Sequence, residues 1–143
     1  MSDRPGRTFL DTNVLVYLFD QDAPAKQAQA RRILADEGAE GTLILSTQVL
    51  QEFYAAVTRK LTPPLPPEVA QRAVEHFSQL NVVPNDTRLV LEAIALSRKH
   101  AVSIWDALII QAAFRAGCTR LLTEDLHAGW EVLGLRVENP FQE

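Results

Sequence analysis

"LDTNVL", residues 10–15, sets an acid, a hydroxyl and an amide between two largely apolar runs. Thr8, Phe9 and Leu10 lead into Asp11, and Val14, Leu15, Val16 and Leu18 lead away from it. A carboxylate among such neighbours is expensive to bury unless it is paired. Asp11 therefore either caps a helix that starts behind it or is kept there for chemistry. The apolar run at 7–10, an acid, and then a helical pattern is the order expected where a buried strand ends and a helix begins.

The same alternation continues along the chain. "PAKQAQARRILADEG" (24–38) reads as a helix, with Pro24 in its first turn and Gly38 as its C-terminal cap. "TLILS" (42–46) is a short β-type run, followed by a helical pattern with apolar residues at 50, 53, 54, 57 and 61. "TPPLPP" must be a loop, because its prolines fit neither ladder nor helix. Residues 68–80 read as a helix and "NVVP" as an extended run. Asp86 caps "TRLVLEAIALSRKH", and Ser103 opens "IWDALIIQAAFRAG", which Gly117 ends. "RLLT" (120–123) reads as a buried strand and "LRVENPF" as a final edge strand. Short strands alternating with helices predict an α/β fold with a mostly parallel central sheet. With no repeat or linker in sight, residues 1–143 are expected to form one domain.

At 47% hydrophobic, the 143-residue chain has material for a sizeable core. Its formal net charge of −4 argues against binding a polyanion through bulk positive charge. A metal held by acids would supply positive charge of its own, so nucleic acid stays open as a partner. Cys118 is the single cysteine, which excludes an internal disulfide and a thiolate zinc cluster. "MSDRPGRTFLD" lacks an apolar segment of signal-peptide length, and no stretch is long enough for a membrane span. A cytoplasmic protein with no membrane association is the expectation.

Ligands of open parallel sheets gather at the carboxyl ends of the strands. Asp11 and Asp125 stand where two such strands should end. Asp106 falls inside the apolar arc of its helix, beside Ile109, Ile110 and Ala113. A capping box with Ser103 would explain it, the carboxylate returning to the Ser103 backbone N–H. Glu52 lies at the edge of its helix's apolar stripe, where a solvated flank residue paired with a base is the plainer reading. Each acid alone is ordinary. Together they put four carboxylates where two strand ends and two helices can converge, a donor set suited to Mg²⁺ or Mn²⁺.

Other chemistries lack their motifs. His76, His100 and His127 are scattered, with no zinc-binding spacing. No glycine-rich dinucleotide or P-loop fingerprint and no G-x-S-x-G elbow is present. Ser46, Ser78 and Ser103 read as cap and turn residues rather than nucleophiles.

With these residues laid out, the chain resembles the PIN-domain ribonucleases, and most of all the VapC-type toxins of bacterial toxin–antitoxin pairs. "FLDTNVLVYLFD", "LSTQVLQEFY", "SIWDALIIQAA" and "RLLTEDLHAGWEVLGLRVENPF" carry the resemblance, in family order. It implies a three-layer α/β/α fold and an acidic metal site of Asp11, Glu52, Asp106 and Asp125. It gives supporting roles to Asn13, Thr123, Thr12 and Ser46, and places Mg²⁺ or Mn²⁺ on Asp11, Asp106 and Asp125. The T-x-D spacing favours Asp125 over the adjacent Glu124 as the fourth acid. The resemblance further implies endonucleolytic cleavage of RNA, a homodimer, and a cognate antitoxin whose C-terminal segment blocks the pocket.

Setting the four site acids aside, 18 less four leaves 14, equal to the 14 Lys and Arg. The excess acidity is then concentrated in the pocket. Arg59 and Lys60, following Glu52 on one helix, are the preferred phosphate contacts, although for any single such pair an ordinary solvated helix face is the plainer reading. The apolar helices at 24–37 and 47–61 are the expected dimer contacts. Two other functions remain to be weighed. A catalytically inactive PIN-like module that binds RNA or protein would not need all four acids. A phosphatase of the haloacid dehalogenase type also begins with a strand and an Asp, but wants a second acid where this chain has Asn13.

Overall fold

A computed structural model describes residues 6–142; residues 1–5, which include part of the N-terminus read for a leader, and residue 143 lie outside it. In chain order the elements are β1 (Arg7–Leu10), α1 (Thr12–Tyr17), α2 (Pro24–Gly38), β2 (Leu43–Ser46), α3 (Thr47–Arg59) and α4 (Pro67–Phe77). They continue with β3 (Asn81–Val83), α5 (Thr87–His100), α6 (Ile104–Arg115), β4 (Cys118–Leu122), β5 (Glu131–Val132) and β6 (Leu135–Glu138).

The strands form one sheet in the order β3-β2-β1-β4-β6-β5, parallel throughout except for β5. The first two crossovers step from β1 to β2 to β3, and the next jumps back past β1 to β4. Right-handed crossovers put helices on opposite faces when the direction of travel reverses. Helices α1–α4 therefore cover one face and α5–α6 the other, which is the three-layer α/β/α arrangement. Because both faces are covered, the central strands need continuous apolar runs rather than alternation. Phe9, Leu10, Leu43, Ile44, Leu45 and Leu121 are accordingly buried outright.

Across the first face, Phe53 of α3 meets Phe19 with ring centroids 5.7 Å apart and Phe77 of α4 at 5.2 Å. Phe53 is fully buried, so truncating it to Ala would cost about 3–5 kcal/mol. On the other face α6 is buried continuously from Ala107 to Ala113. Its chain leaves the helix through Gly117 at φ +74°, a conformation that side chains with a Cβ resist.

Two expectations need correction. Gly38 is the last helical residue of α2 rather than its cap, and the left-handed turn falls three residues later at Gly41, φ +71°. The strand "LRVE" is not an edge. It pairs with β4 on one side and, through the two-residue turn Leu133–Gly134, with the short antiparallel β5 on the other. Both turn residues have positive φ, 52° and 78°, as a tight hairpin requires, and Leu133 gives no compositional warning of it. Exposed large apolar side chains lie on several helices. Val90, Leu91 and Ile94 project from α5, α3 exposes Tyr54, and α2 exposes none.

Candidate active site

The reversal in strand order lies between β1 and β4, and a crevice opens there at the carboxyl ends of the strands. It forms a cavity of about 530 Å³ lined by Asp11, Glu52, Asp106 and Asp125. The four acids separated in sequence thus share one surface. Asp20 also reaches it, and among the described residues Lys60 is the single basic one in the lining.

Asp11 is buried at the end of β1 and is the N-cap of α1. Its Oδ1 accepts the Thr12 N–H at 2.7 Å, and its Oδ2 accepts the Thr123 hydroxyl at 2.8 Å. Burial pushes its carboxyl up to about 6, against these two hydrogen bonds, and the charges of Asp125 and Glu52 push it the same way. Asp11 thus caps α1 and lines the cavity at once.

Thr123, fully buried just beyond β4, organises this end of the sheet. Besides donating to Asp11, its Oγ1 accepts the Asp125 N–H at 3.1 Å and Asn13 Nδ2 at 3.4 Å. The same Asn13 amide donates to Asp125 Oδ2 at 3.1 Å, while Asn13 Oδ1 accepts the Glu124 N–H at 3.3 Å. An acid at position 13 could not donate as this amide does, so the residue that disfavours the phosphatase reading has its own work here.

Glu52 is half-buried and, among the described residues, is not paired with a base. Its Oε1 accepts the Thr12 hydroxyl at 2.8 Å and its Oε2 accepts Gln48 Nε2 at 3.3 Å. The plainer reading of a solvated flank residue therefore fails. Thr12 thereby ties α1 to α3 beside the cavity.

Asp106 sits in the first turn of α6, where its backbone N–H donates to Ser103 Oγ at 3.1 Å. Only this half of the capping box forms. Among the described residues its carboxylate makes neither the return bond nor an ion pair, and it faces the cavity uncommitted.

Other expected residues lie elsewhere. Ser46 is fully buried and caps α3 by accepting the Val49 N–H at 3.3 Å; it does not line the cavity. Arg59 is also outside the lining, one residue before Lys60. Glu124, the alternative fourth acid, accepts the Tyr17 hydroxyl at 2.5 Å and Lys26 Nζ at 2.6 Å. Burial alone would raise its pKa, but the Lys26 and Tyr17 hydrogen bonds and the Lys26 charge outweigh that and hold it low. With both oxygens engaged and no place in the cavity lining, Glu124 anchors the loop that carries Asp125.

Sequence reasoning missed Gln48, Asp20, Tyr17 and Trp105, all of which line the cavity. Gln48 stands one helical turn before Glu52, and that i, i+4 spacing was the available signal. Tyr17 and Lys26 approach Glu124 only through the tertiary fold, and nothing local announces them.

The donor set is all oxygen, which suits a hard divalent cation. The mutual repulsion of Asp11, Asp125 and Glu52 is what such a cation would relieve. Among the described residues, no three His, Cys, Asp or Glu side chains stand close enough together to grip one ion. Mg²⁺ commonly keeps several waters and takes only one or two carboxylates directly, so a pair is sufficient. The residues present fit the ion on those terms.

Among known families, the PIN domain matches residues 8–128. No curated protein matches the chain in sequence. Among solved structures, a toxin–antitoxin complex from Klebsiella pneumoniae is 20% identical, with 93% of this chain and 97% of that chain covered and a TM-score of 0.68. The Mycobacterium tuberculosis toxin VapC20, described as cleaving the sarcin–ricin loop, is also 20% identical, with 80% and 86% covered and a TM-score of 0.66. DNA-bound VapBC from Salmonella typhimurium is 22% identical, with 95% and 99% covered and a TM-score of 0.62. At these identities the likeness is one of fold. The family match spans most of the chain and includes Asp11, Glu52, Asp106 and Asp125, so this chain belongs to the PIN-domain family.

Proposed function

We propose that this chain is a divalent-metal-dependent endoribonuclease and the toxin of a toxin–antitoxin pair. The observation that carries this reading is the meeting of Asp11, Glu52, Asp106 and Asp125 in one cavity at the switch point of the sheet. The fold likeness to toxins and toxin–antitoxin complexes supports the biological role. A cognate antitoxin that occupies the cavity, a homodimeric state and a cytoplasmic site of action belong to the same reading.

Asp11 and Asp106 would hold Mg²⁺ or Mn²⁺ directly, with Asp125 acting on it through a bound water. The bound cation supplies a more acidic water and neutralises charge that builds on the phosphoryl group. Glu52 orients the attacking water and accepts its proton, while the Thr12 and Gln48 hydrogen bonds fix the rotamer of Glu52 for that task. Asn13 and Thr123 keep Asp125 and Asp11 turned toward the same space. Attack at phosphorus would leave a 5′-phosphate and a 3′-hydroxyl.

The test is cleavage of total RNA by wild type and Asp106→Asn, with Mn²⁺ or with a chelator. Cleavage that needs the cation and is lost in the variant is expected. Cleavage of no RNA with Mn²⁺ would return the chain to the inactive binding module. Equal activity in Asp106→Asn would remove the site.

A further inference from the structure

Trp105 is 62% exposed, although it stands only two residues before the continuously buried stretch of α6. An exposed indole withholds a large apolar area from the core, and such surfaces concentrate where something binds. Trp105 lines the acidic cavity beside Asp106. Its backbone is pinned, because its carbonyl accepts Gln48 Nε2 at 3.2 Å, and the same amide donates to Glu52 at 3.3 Å. The backbone that carries the indole is thus tied to the acid that would handle the attacking water. The same cavity wall carries the apolar side chains of Val16, Ala55, Ala56, Leu61 and Ile109, and Lys60 adds a positive charge.

We propose that Trp105 is a base-stacking platform that holds one unstacked RNA base beside the phosphate to be cleaved. This inference rests on reading the cavity as an RNA site. A nucleotide presents an apolar face, polar edges and an anionic phosphate. The indole suits the first, and Lys60 together with the cation held by the carboxylates suits the last. Bases inside a duplex have both faces covered and offer the indole nothing to stack on. An apolar peptide segment could use the same wall but has no use for the carboxylates.

The test uses the full chain carrying Asp106→Asn, which stops cleavage, and Trp130→Phe, which leaves Trp105 as the only tryptophan. The probes are an unstructured 12-nucleotide RNA of randomised sequence and a duplex of equal length, both with Mg²⁺. The single strand should quench Trp105 emission and bind more tightly than the duplex. Adding Trp105→Ala should weaken single-strand binding by roughly five- to a hundredfold, measured by anisotropy of labelled RNA, the range expected for losing one stacked base. Trp105→Phe should retain most of the affinity. Unchanged affinity in Trp105→Ala, or unchanged Trp105 emission at saturating RNA, overturns the proposal. So does an alanine variant that binds RNA normally but releases an antitoxin that co-purifies with the parent, since the indole is then a protein contact. If wild type with Mn²⁺ cleaves no RNA while quenching persists, the nuclease reading falls and the stacking role stands.

Discussion

The Thr123 hydroxyl lies 2.8 Å from Asp11 Oδ2, and this bond closes the seam between β1 and β4 where the sheet reverses its order. Thr123 has one proton to give and gives it to the buried acid. Its oxygen takes up the Asp125 N–H and the Asn13 amide. One side chain outside the cavity thereby sets the geometry of two acids within it.

Thr123→Val keeps the shape and removes all three bonds. A lost hydrogen bond to a charged group should cost about 2 kcal/mol at pH 7 by urea unfolding. The loss should be smaller at pH 5, where Asp11 is mostly protonated. The Asp11 carboxyl should also titrate above about 6 in the variant, because Thr123 acts to lower it. An equal loss at both pH values would mean that Thr123 stabilises by packing alone.

Asp11 itself should leave a signature in stability against pH. Its carboxyl moves from 3.8 to about 6 on folding, so the folded chain holds that proton more tightly than the unfolded chain. The contribution is fully present below pH 3.8 and is lost as pH rises through 6, about 3 kcal/mol across the window. In chelator, wild type should therefore lose stability between pH 4 and 7 relative to Asp11→Asn, read from urea midpoints at each pH. Adding Mn²⁺ should flatten the wild-type curve, since the cation favours the charged form, and should leave the variant's curve unchanged.

The fold was largely readable because its signals are local. Strands buried on both faces read as apolar runs, and Asp11, Ser46, Asp86 and Ser103 mark the helix starts that they cap. The four acids could be picked out one at a time, as polar residues in apolar settings or at strand ends. What holds them could not. The Thr12–Glu52 bond spans 40 positions and the Tyr17–Glu124 bond 107, and no periodicity encodes such pairs. The same limit explains Glu124 and Asp125, which adjoin in sequence but point to different neighbours once the loop is folded.

Glu124 and Asp125 should therefore fail in different ways. Glu124→Gln weakens a partly exposed ion pair with Lys26 and should cost less than about 1 kcal/mol of stability. Its Mn²⁺ affinity, measured by calorimetry, should stay close to that of wild type. Asp125→Asn should lower that affinity by about tenfold or more while barely changing stability. The reverse pattern would make Glu124 the fourth acid of the site.

Lys60 and Arg59 are neighbours in sequence, yet only Lys60 reaches the cavity. A lysine that meets one RNA phosphate displaces counterions, so the logarithm of affinity falls with the logarithm of salt by about 0.7 for that contact. With cleavage blocked by Asp106→Asn, Lys60→Ala should make the salt slope shallower by about that amount on an unstructured RNA. Arg59→Ala should leave the slope within error of the parent, since its guanidinium lies outside the lining. The pair thus separates phosphate contact from general positive charge: both variants lose one unit, but only one loses a contact. Equal slopes in all three proteins would remove Lys60 from the RNA path, and a loss confined to Arg59→Ala would route the strand along the outer face of α3.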